Sequence, residues 1–235
     1  MTTTEPADPG MQPRAPLNRE RVLRAAVDLA DESGIESVTM RTLGQRLGVE
    51  AMSLYNHVAN KEDILDGMAG VVLSEINDAA AGITGVWKTA MRRRILAARE
   101  VLLRHRWAPR VLESRADLGA QVNRYYDSLI GLFRAGGFSL DLTHHALHAL
   151  GTRALGYTHE PWDDSQPLPD PSLLARQMAG EYPNIAAMLE DVSHDADTTL
   201  GWCDDQFEFE FAVDILLDGL DRLRDAESSG AKKTP

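Results

Sequence analysis

The amino-acid sequence predicts an all-α fold, with an N-terminal helix-turn-helix unit of three helices followed by a larger helical domain. Apolar residues recur at three- and four-residue spacing along most of the chain, Ser, Thr or Asn stands ahead of several such runs, and glycines close them. No sustained alternation of apolar and polar residues is flanked by turn dipeptides. The brief one at Phe207, Phe209 and Phe211 falls inside a helical pattern.

Asn18 caps the first predicted helix, whose apolar positions are Val22, Ala26, Leu29 and Ala30 and whose stop is Ser33-Gly34. Thr39 caps a second, short helix carrying Leu43 and Leu47, ended by Gly48. A third runs from about Ala51 to His57, and Asn60 caps a fourth, long and amphipathic, that continues to about residue 81 before Gly82 and Gly85. Beyond it, Trp87, Met91, Ile95, Ala98 and Leu102 line one face of a fifth helix, and Pro109 suits the first turn of a short sixth. A helix over about Leu118 to Ala135 breaks at Gly136-Gly137, and Ser139 caps the next, which ends near Tyr157. The Pro, Asp and Ser density from His159 to Pro171 predicts a loop. One or two shorter helices separated near Pro183 follow, then a strong last helix from about Asp204 to Leu223. The expected organisation is a disordered segment 1–17, a helix-turn-helix domain 18–65, a second domain 66–225 and a flexible tail 226–235.

Composition narrows the function classes. A hydrophobic content of 43% supports a sizeable core. The single cysteine, Cys203, excludes an internal disulfide and fits a reducing compartment, so a cytoplasmic location is expected. No apolar stretch approaches the roughly 20 residues of a membrane span. The start carries Glu5, Asp8 and four prolines in place of a basic and then an apolar segment, unlike a secretory signal. The net charge of -12 argues against a nucleic-acid partner until its distribution is considered. Arg14 to Lys61 holds seven basic and six acidic residues, whereas His159 to Pro235 holds 5 basic and 18 acidic ones. The acid belongs to the far end.

Two helices crossing at a tight turn need a small residue at the contact, a residue tolerant of positive φ in the turn and an apolar plug on the second helix. Gly44, Gly48 and Leu54 meet these needs in order, and Val49 fills the space between the helices. That leaves Ala51, Met52, Ser53, Tyr55 and Asn56 facing outward. In a major groove Ser53 and Asn56 can hydrogen-bond base edges, and Ala51 or Met52 can meet a thymine methyl. Arg41 can read guanine or grip a phosphate. Tyr55, His57 and Lys61, the last on a helix N-terminal turn, suit phosphate oxygens.

The run Asn18 to Leu65, NRERVLRAAVDLADESGIESVTMRTLGQRLGVEAMSLYNHVANKEDIL, resembles the DNA-binding domain of the TetR (tetracycline repressor) family, with LYNHVANKEDIL its most specific part. The segment FEFEFAVDILLDGL resembles the last helix of the tetracycline-repressor subgroup. The resemblance implies that Arg41, Ala51, Met52, Ser53, Tyr55 and Asn56 lie along base edges and that Thr39, Tyr55, His57 and Lys61 hold the backbone. It further implies a homodimer on a palindromic double-stranded DNA operator, and a ligand-binding and dimerisation domain with a cavity for a small-molecule effector. Candidate lining residues are Trp87, His105, Trp107, His148 and Trp162. Where the tetracycline repressor places its metal- and drug-binding histidines this chain has Leu112 and Asn77, so a tetracycline-magnesium ligand is not implied.

The last predicted helix is apolar on more than one side, which points to burial against a second subunit, and Ala146, Gly151, Ala154 and Gly156 would permit close approach. The nine cations from Lys88 to Arg115, against two acids, suggest a solvated helix face. His144 and His148 stand one helical turn apart, a spacing that can grip a metal, but no third ligand is evident nearby. No metal, cofactor or catalytic set is expected. The rival readings are a protein-interaction module that has lost DNA and, further off, a helical enzyme using the histidine cluster.

Overall fold

The computed structural model describes residues 16–114, 119–156, 170–191 and 205–230. Every regular element among these residues is helical, in agreement with the all-α expectation. The predicted loop from His159 and Trp162 within it, Cys203 and most of segment 1–17 lie outside the described residues. The chain divides into two compact units between Met68 and Ala69.

The first unit contains α1 (Arg19–Ser33), a 3-10 turn (Ile35–Ser37), α2 (Met40–Leu47), α3 (Ala51–Leu54) and the start of α4 (Lys61–Ala80). The caps sit where the sequence puts them. The Asn18 side chain accepts from the Arg21 amide at 2.8 Å, and the Asn60 side chain from the Asp63 amide at 2.9 Å. Thr39 and Thr42 form a reciprocal capping box at the start of α2. Val22, Ala26, Leu43, Leu54 and Met68 are fully buried between the helices. Helix α3 is shorter than the predicted span to His57. After Leu54 the chain tightens into a turn in which the His57 and Val58 amides both donate to the Leu54 carbonyl, at 2.8 and 3.0 Å, and this tucks Val58 into the core.

The second unit holds the rest of α4, then α5 (Trp87–Arg104), α6 (Ala108–Glu113), α7 (Gly119–Ala135), α8 (Leu140–Gly156), α9 (Pro171–Met178), α10 (Pro183–Asp191) and α11 (Asp205–Gly230). Its core is a cluster drawn from α5, α7, α8 and α11, including Met91, Phe133, Ala146, Phe209 and Leu217. Phe133 and Phe209 have no exposed surface, and burying each contributes about 1.5–3 kcal/mol. Trp87 meets Phe138 edge-on at 4.6 Å, and Phe138 meets Phe133 at 5.0 Å. Helices α9 and α10 pack on each other through Ala175 and Ala186.

The basic run from Lys88 is a solvated face only in part: Arg93, Arg104, Arg106 and Arg110 are exposed, but several of its cations are engaged within the unit. Lys88 pairs with Asp218, Arg92 with both Asp214 (2.7 Å) and Glu210 (2.6 Å), and Arg104 with Glu75 (3.2 Å). Arg99 is buried, with its guanidinium carbon 4.2 Å from the centre of the Phe209 ring. The Trp87 indole donates to Asp221 at 3.2 Å. Much of the cationic run on α5 thus serves the acidic side of α11. Helix α11 also continues past the predicted end at Leu223 to Gly230, into what was expected to be a flexible tail. No glycine or proline interrupts residues 224–229, and the Ser229 hydroxyl donates back to the Asp225 carbonyl at 2.8 Å. Of the small residues of α8, Ala146 is buried in the unit's own core and Gly151 lines its cavity.

The Gly136-Gly137 pair splits its work. Gly137 takes the positive φ of 85° that ends α7, while a Cβ on Gly136 would lie 2.7 Å from the Trp87 Cβ. Gly136→Ala forces the indole out of place. Destabilisation of about 1–3 kcal/mol is expected, seen as a lower melting temperature with α-helical content unchanged at 25 °C.

Candidate nucleic-acid interface and ligand cavity

In the first unit, α2 and α3 approach so closely that a Cβ on Gly44 would sit 2.9 Å from the Val49 carbonyl oxygen and 3.2 Å from the Ala51 nitrogen. Gly48 between them adopts the left-handed conformation, φ 68° and ψ 36°, and the Val49 amide donates to the Gly44 carbonyl at 2.9 Å. Leu54 plugs the core. This clamp leaves the opposite side of α3 outward. Met52 is 71% exposed and Tyr55 49%; Thr39, Arg41, Asn56 and Lys61 are also exposed, while Ala51, Ser53 and His57 are half-buried. All nine sequence-derived DNA candidates therefore lie between the cap of α2 and the first residue of α4, and none is sealed in the core. Among the described residues Arg41 and Lys61 have no acidic partner, so both cations are free to meet phosphate or base. The Thr39 hydroxyl is engaged in its capping box.

Two bidentate ion pairs, not foreseen from the sequence, hold this surface in shape. The Arg19 guanidinium donates to both Asp63 oxygens, at 2.6 and 2.9 Å, and to the His57 carbonyl at 3.2 Å. Asp63 also accepts from the Ala59 amide at 2.8 Å, which fixes the path from His57 to Lys61. Arg46 donates to both Glu32 oxygens at 2.6 Å each, tying α2 to α1. Residue spacing contained no signal for either, because the partners lie 44 and 14 positions apart. The hydrogen bonds from Arg19, with that from the Ala59 amide, hold the Asp63 carboxyl below its ordinary value.

The second unit encloses a cavity of about 370 Å³. Leu73 and Ile76 of α4, Met91, Ile95, Ala98 and Leu102 of α5, and Leu112 and Glu113 of α6 form part of its wall. Val122, Tyr125, Tyr126, Leu129 and Phe133 of α7, with Leu147, Leu150 and Gly151 of α8, complete it. Among the described residues the wall is apolar apart from Glu113 and the two tyrosines. Of the sequence-derived aromatic and histidine candidates, the four among the described residues lie elsewhere. Trp87 is wedged against Phe133 and Phe138, Trp107 and His105 are buried side by side, and His148 stands exposed on α8, 4.6 Å from the His144 ring. Large rings were the obvious lining from composition, yet they are consumed in tight packing, and smaller aliphatic residues leave the void. The periodicity of α5 had already named four of the wall residues as one face. Among the described residues no three His, Cys, Asp or Glu side chains are grouped to hold a metal ion.

Helix α4 is anchored beside the cavity by polar contacts. The Glu75 carboxylate meets His105 Nε2 at 3.1 Å and Arg104 at 3.2 Å. Burial opposes its charge, but these partners outweigh burial and keep its proton affinity below the ordinary value. The Asn77 amide donates to the Leu73 carbonyl at 2.9 Å and reaches the Gln121 carbonyl of α7 at 3.4 Å.

A clamped helix pair with an outward reading face, joined in one chain to a unit enclosing an apolar cavity, defines a DNA-binding regulator with a small-molecule sensor. Residues 22–68 match the family described as Bacterial regulatory proteins, tetR family, and residues 81–224 match the Tetracyclin repressor-like, C-terminal domain. The chain belongs to the TetR family and is a ligand-responsive, DNA-binding transcriptional regulator. It is 34% identical over 161 residues to tetracycline repressor protein class D of Escherichia coli, covering 66% of this chain and 72% of that one. It is 30% identical to the HTH-type transcriptional repressor DrrR1 of Streptomyces coeruleorubidus, covering 92% of this chain and 81% of that one. A crystal structure of a possible TetR family regulator from Streptomyces coelicolor A3(2) superposes with a TM-score of 0.70 at 32% identity, over 88% of this chain and 100% of that one.

Because the Asp63 pKa is depressed on folding, its contribution to stability is complete above the unfolded value, about 4, and is lost as pH falls through the folded one. Asp63→Asn should lower stability at pH 7 by under about 1 kcal/mol, the pair being partly exposed. It should also flatten the loss of melting temperature below pH 4, which thermal scans across that range will measure.

Proposed function

We propose that this protein is a cytoplasmic homodimeric repressor that holds a palindromic operator through α2 and α3 and lets go when a small molecule fills the cavity of the second unit. The observation that carries the DNA side is the set of polar groups left over by the fold. Arg41, Ser53 and Asn56 stand outward at the end of a rigid clamp, with Ala51 and Met52 beside them for apolar contact to bases. Tyr55, His57 and Lys61, with Thr39 at the cap of α2, are the residues that would meet the phosphates.

The dimer rests on α11. One stripe, Phe209, Val213, Leu217 and Leu220, is buried in the unit's own core, while Phe207, Phe211 and Ile215 remain 63%, 54% and 53% exposed. Phe207 and Phe211 stack in parallel at 6.3 Å. An apolar stripe of this size left in water favours pairing with its two-fold copy. Two copies then present two reading helices, which is why the operator is palindromic.

Release follows from α4. Its first turn carries Lys61, and its later turns place Leu73 and Ile76 in the cavity wall. A ligand that needs those side chains to move favours another position of the helix, so ligand and operator oppose one another reciprocally. A regulatory rather than catalytic role fits this arrangement, since among the described residues no nucleophile, base and orienting group converge in the cavity wall.

With duplexes recovered from an unbiased selection, Arg41→Ala and Tyr55→Ala should each weaken binding by about 1–3 kcal/mol while the dimer persists in sedimentation. Wild-type affinity should fall steeply with salt. Failure to prefer any duplex would rule out the DNA reading. Ile215→Asp should yield a monomer at micromolar concentration with its helical content retained.

A further inference from the structure

The cavity wall has polar features at Glu113 and at the paired tyrosines. Tyr125 stands on α7 with its ring packed against the hydrophobic core. Its hydroxyl meets no hydrogen-bond partner among the described residues, although burial pushes its pKa up to about 12 and so keeps it a neutral O–H donor. A neutral donor on a cavity wall with no protein acceptor bonds to whatever fills the space. Arg94 lies close enough to favour negative charge at that hydroxyl, and its guanidinium is held by the Ser128 hydroxyl at 3.1 Å and the Ile83 carbonyl at 3.4 Å, not in the wall itself. The electronegative end of a ligand dipole therefore belongs beside Tyr125.

Glu113, the last residue of α6, is the acidic group of the wall. It lines the cavity yet remains exposed, so it stands at the opening, and among the described residues its carboxylate has no cation or hydrogen-bond donor. Among the described residues no lysine, arginine or histidine lines the cavity to balance it. An anionic compound would meet a like charge on entering and find no cation inside.

We propose that the effector is a compact ring-bearing organic cation whose ring carbonyl accepts a hydrogen bond from Tyr125 and whose basic amine pairs with Glu113 at the cavity mouth. This rests on the cavity being the effector site. Volume and wall chemistry agree, since about 370 Å³ of mainly apolar space takes a small fused-ring system bearing two polar groups.

Acridones alkylated on the ring nitrogen test it, because the arm then projects opposite the carbonyl. Three arms of equal length are compared, ending in a dimethylamine, a hydroxyl or a carboxylate, with binding to the full-length dimer followed by acridone fluorescence anisotropy at pH 7. The amine arm should bind about fivefold tighter than the hydroxyl arm, with the carboxylate arm weakest. Glu113→Gln should erase that ranking, and Tyr125→Phe should weaken all three about fivefold while leaving the ranking in place. A carboxylate arm that binds as well as the amine, a ranking that survives Glu113→Gln, or no binding by any of the three would overturn the inference. Gly151→Leu separates this from the wider reading, because a Cβ there meets open space and a leucine fills the cavity. If the wild type ranks the arms otherwise but Gly151→Leu abolishes binding, the cavity remains the site and only the ligand class is wrong. If Gly151→Leu binds all three as the wild type does, the compounds lie elsewhere and the cavity reading falls with the inference.

Discussion

Helix α5 must satisfy two neighbours with one sequence, and the second unit depends on its doing so. Met91, Ile95, Ala98 and Leu102 give it an aliphatic face that walls the cavity. Lys88, Arg92 and Arg99 give it a cationic flank that grips Asp218, Asp214, Glu210 and Gln206 of α11. Attraction between charges fixes the register of the two helices, and the indole of Trp87, bonded to Asp221 and pressed against Gly136, locks it from the end. With α11 held in that register, Phe209 and Leu217 turn inward, and Phe211 and Ile215 are left outward for a partner. The void and the apolar stripe are two consequences of one docking geometry.

The strong acidity of the C-terminal third takes a different meaning in this light. Considered as a total, the charge discourages contact with DNA. Much of it on α11 is matched locally by α5, so the acidic carboxylates are part of a protein–protein seam inside the chain. The first unit keeps its near-neutral balance, with Arg41 and Lys61 outside any ion pair. A few free cations at the reading face suffice, because screening confines electrostatic influence to about 10 Å in ordinary salt.

What the sequence made legible was local. Caps at Asn18, Thr39, Asn60 and Ser139 and the turn at Gly48 depend on residues within a few positions, and each stands where the spacing put it. The helix-turn-helix face was equally accessible, because Gly44, Gly48 and Leu54 dictate which side of α3 remains outward. The cavity was only half accessible. Helical period identified the face of α5 but could not say which large side chains would be spent on packing, and Trp87, His105 and Trp107 went to tight contacts while Tyr125 and Glu113 reached the void. Long-range pairs such as Arg19 with Asp63 and Arg46 with Glu32 leave no trace in spacing at all. The last helix was cut short at Leu223 because its polar end lacks the apolar repeat, although nothing there breaks a helix before Gly230.

The clamp between α2 and α3 separates what holds the reading face from what reads. Gly44, Gly48 and Leu54 carry the geometry, while Met52 projects into solvent. Substitutions at Met52 or Asn56 can therefore accumulate at little cost to folding, so descendants of such a protein are free to drift toward new target sequences while the scaffold stays put. Divergence in what is recognised can outrun divergence in shape.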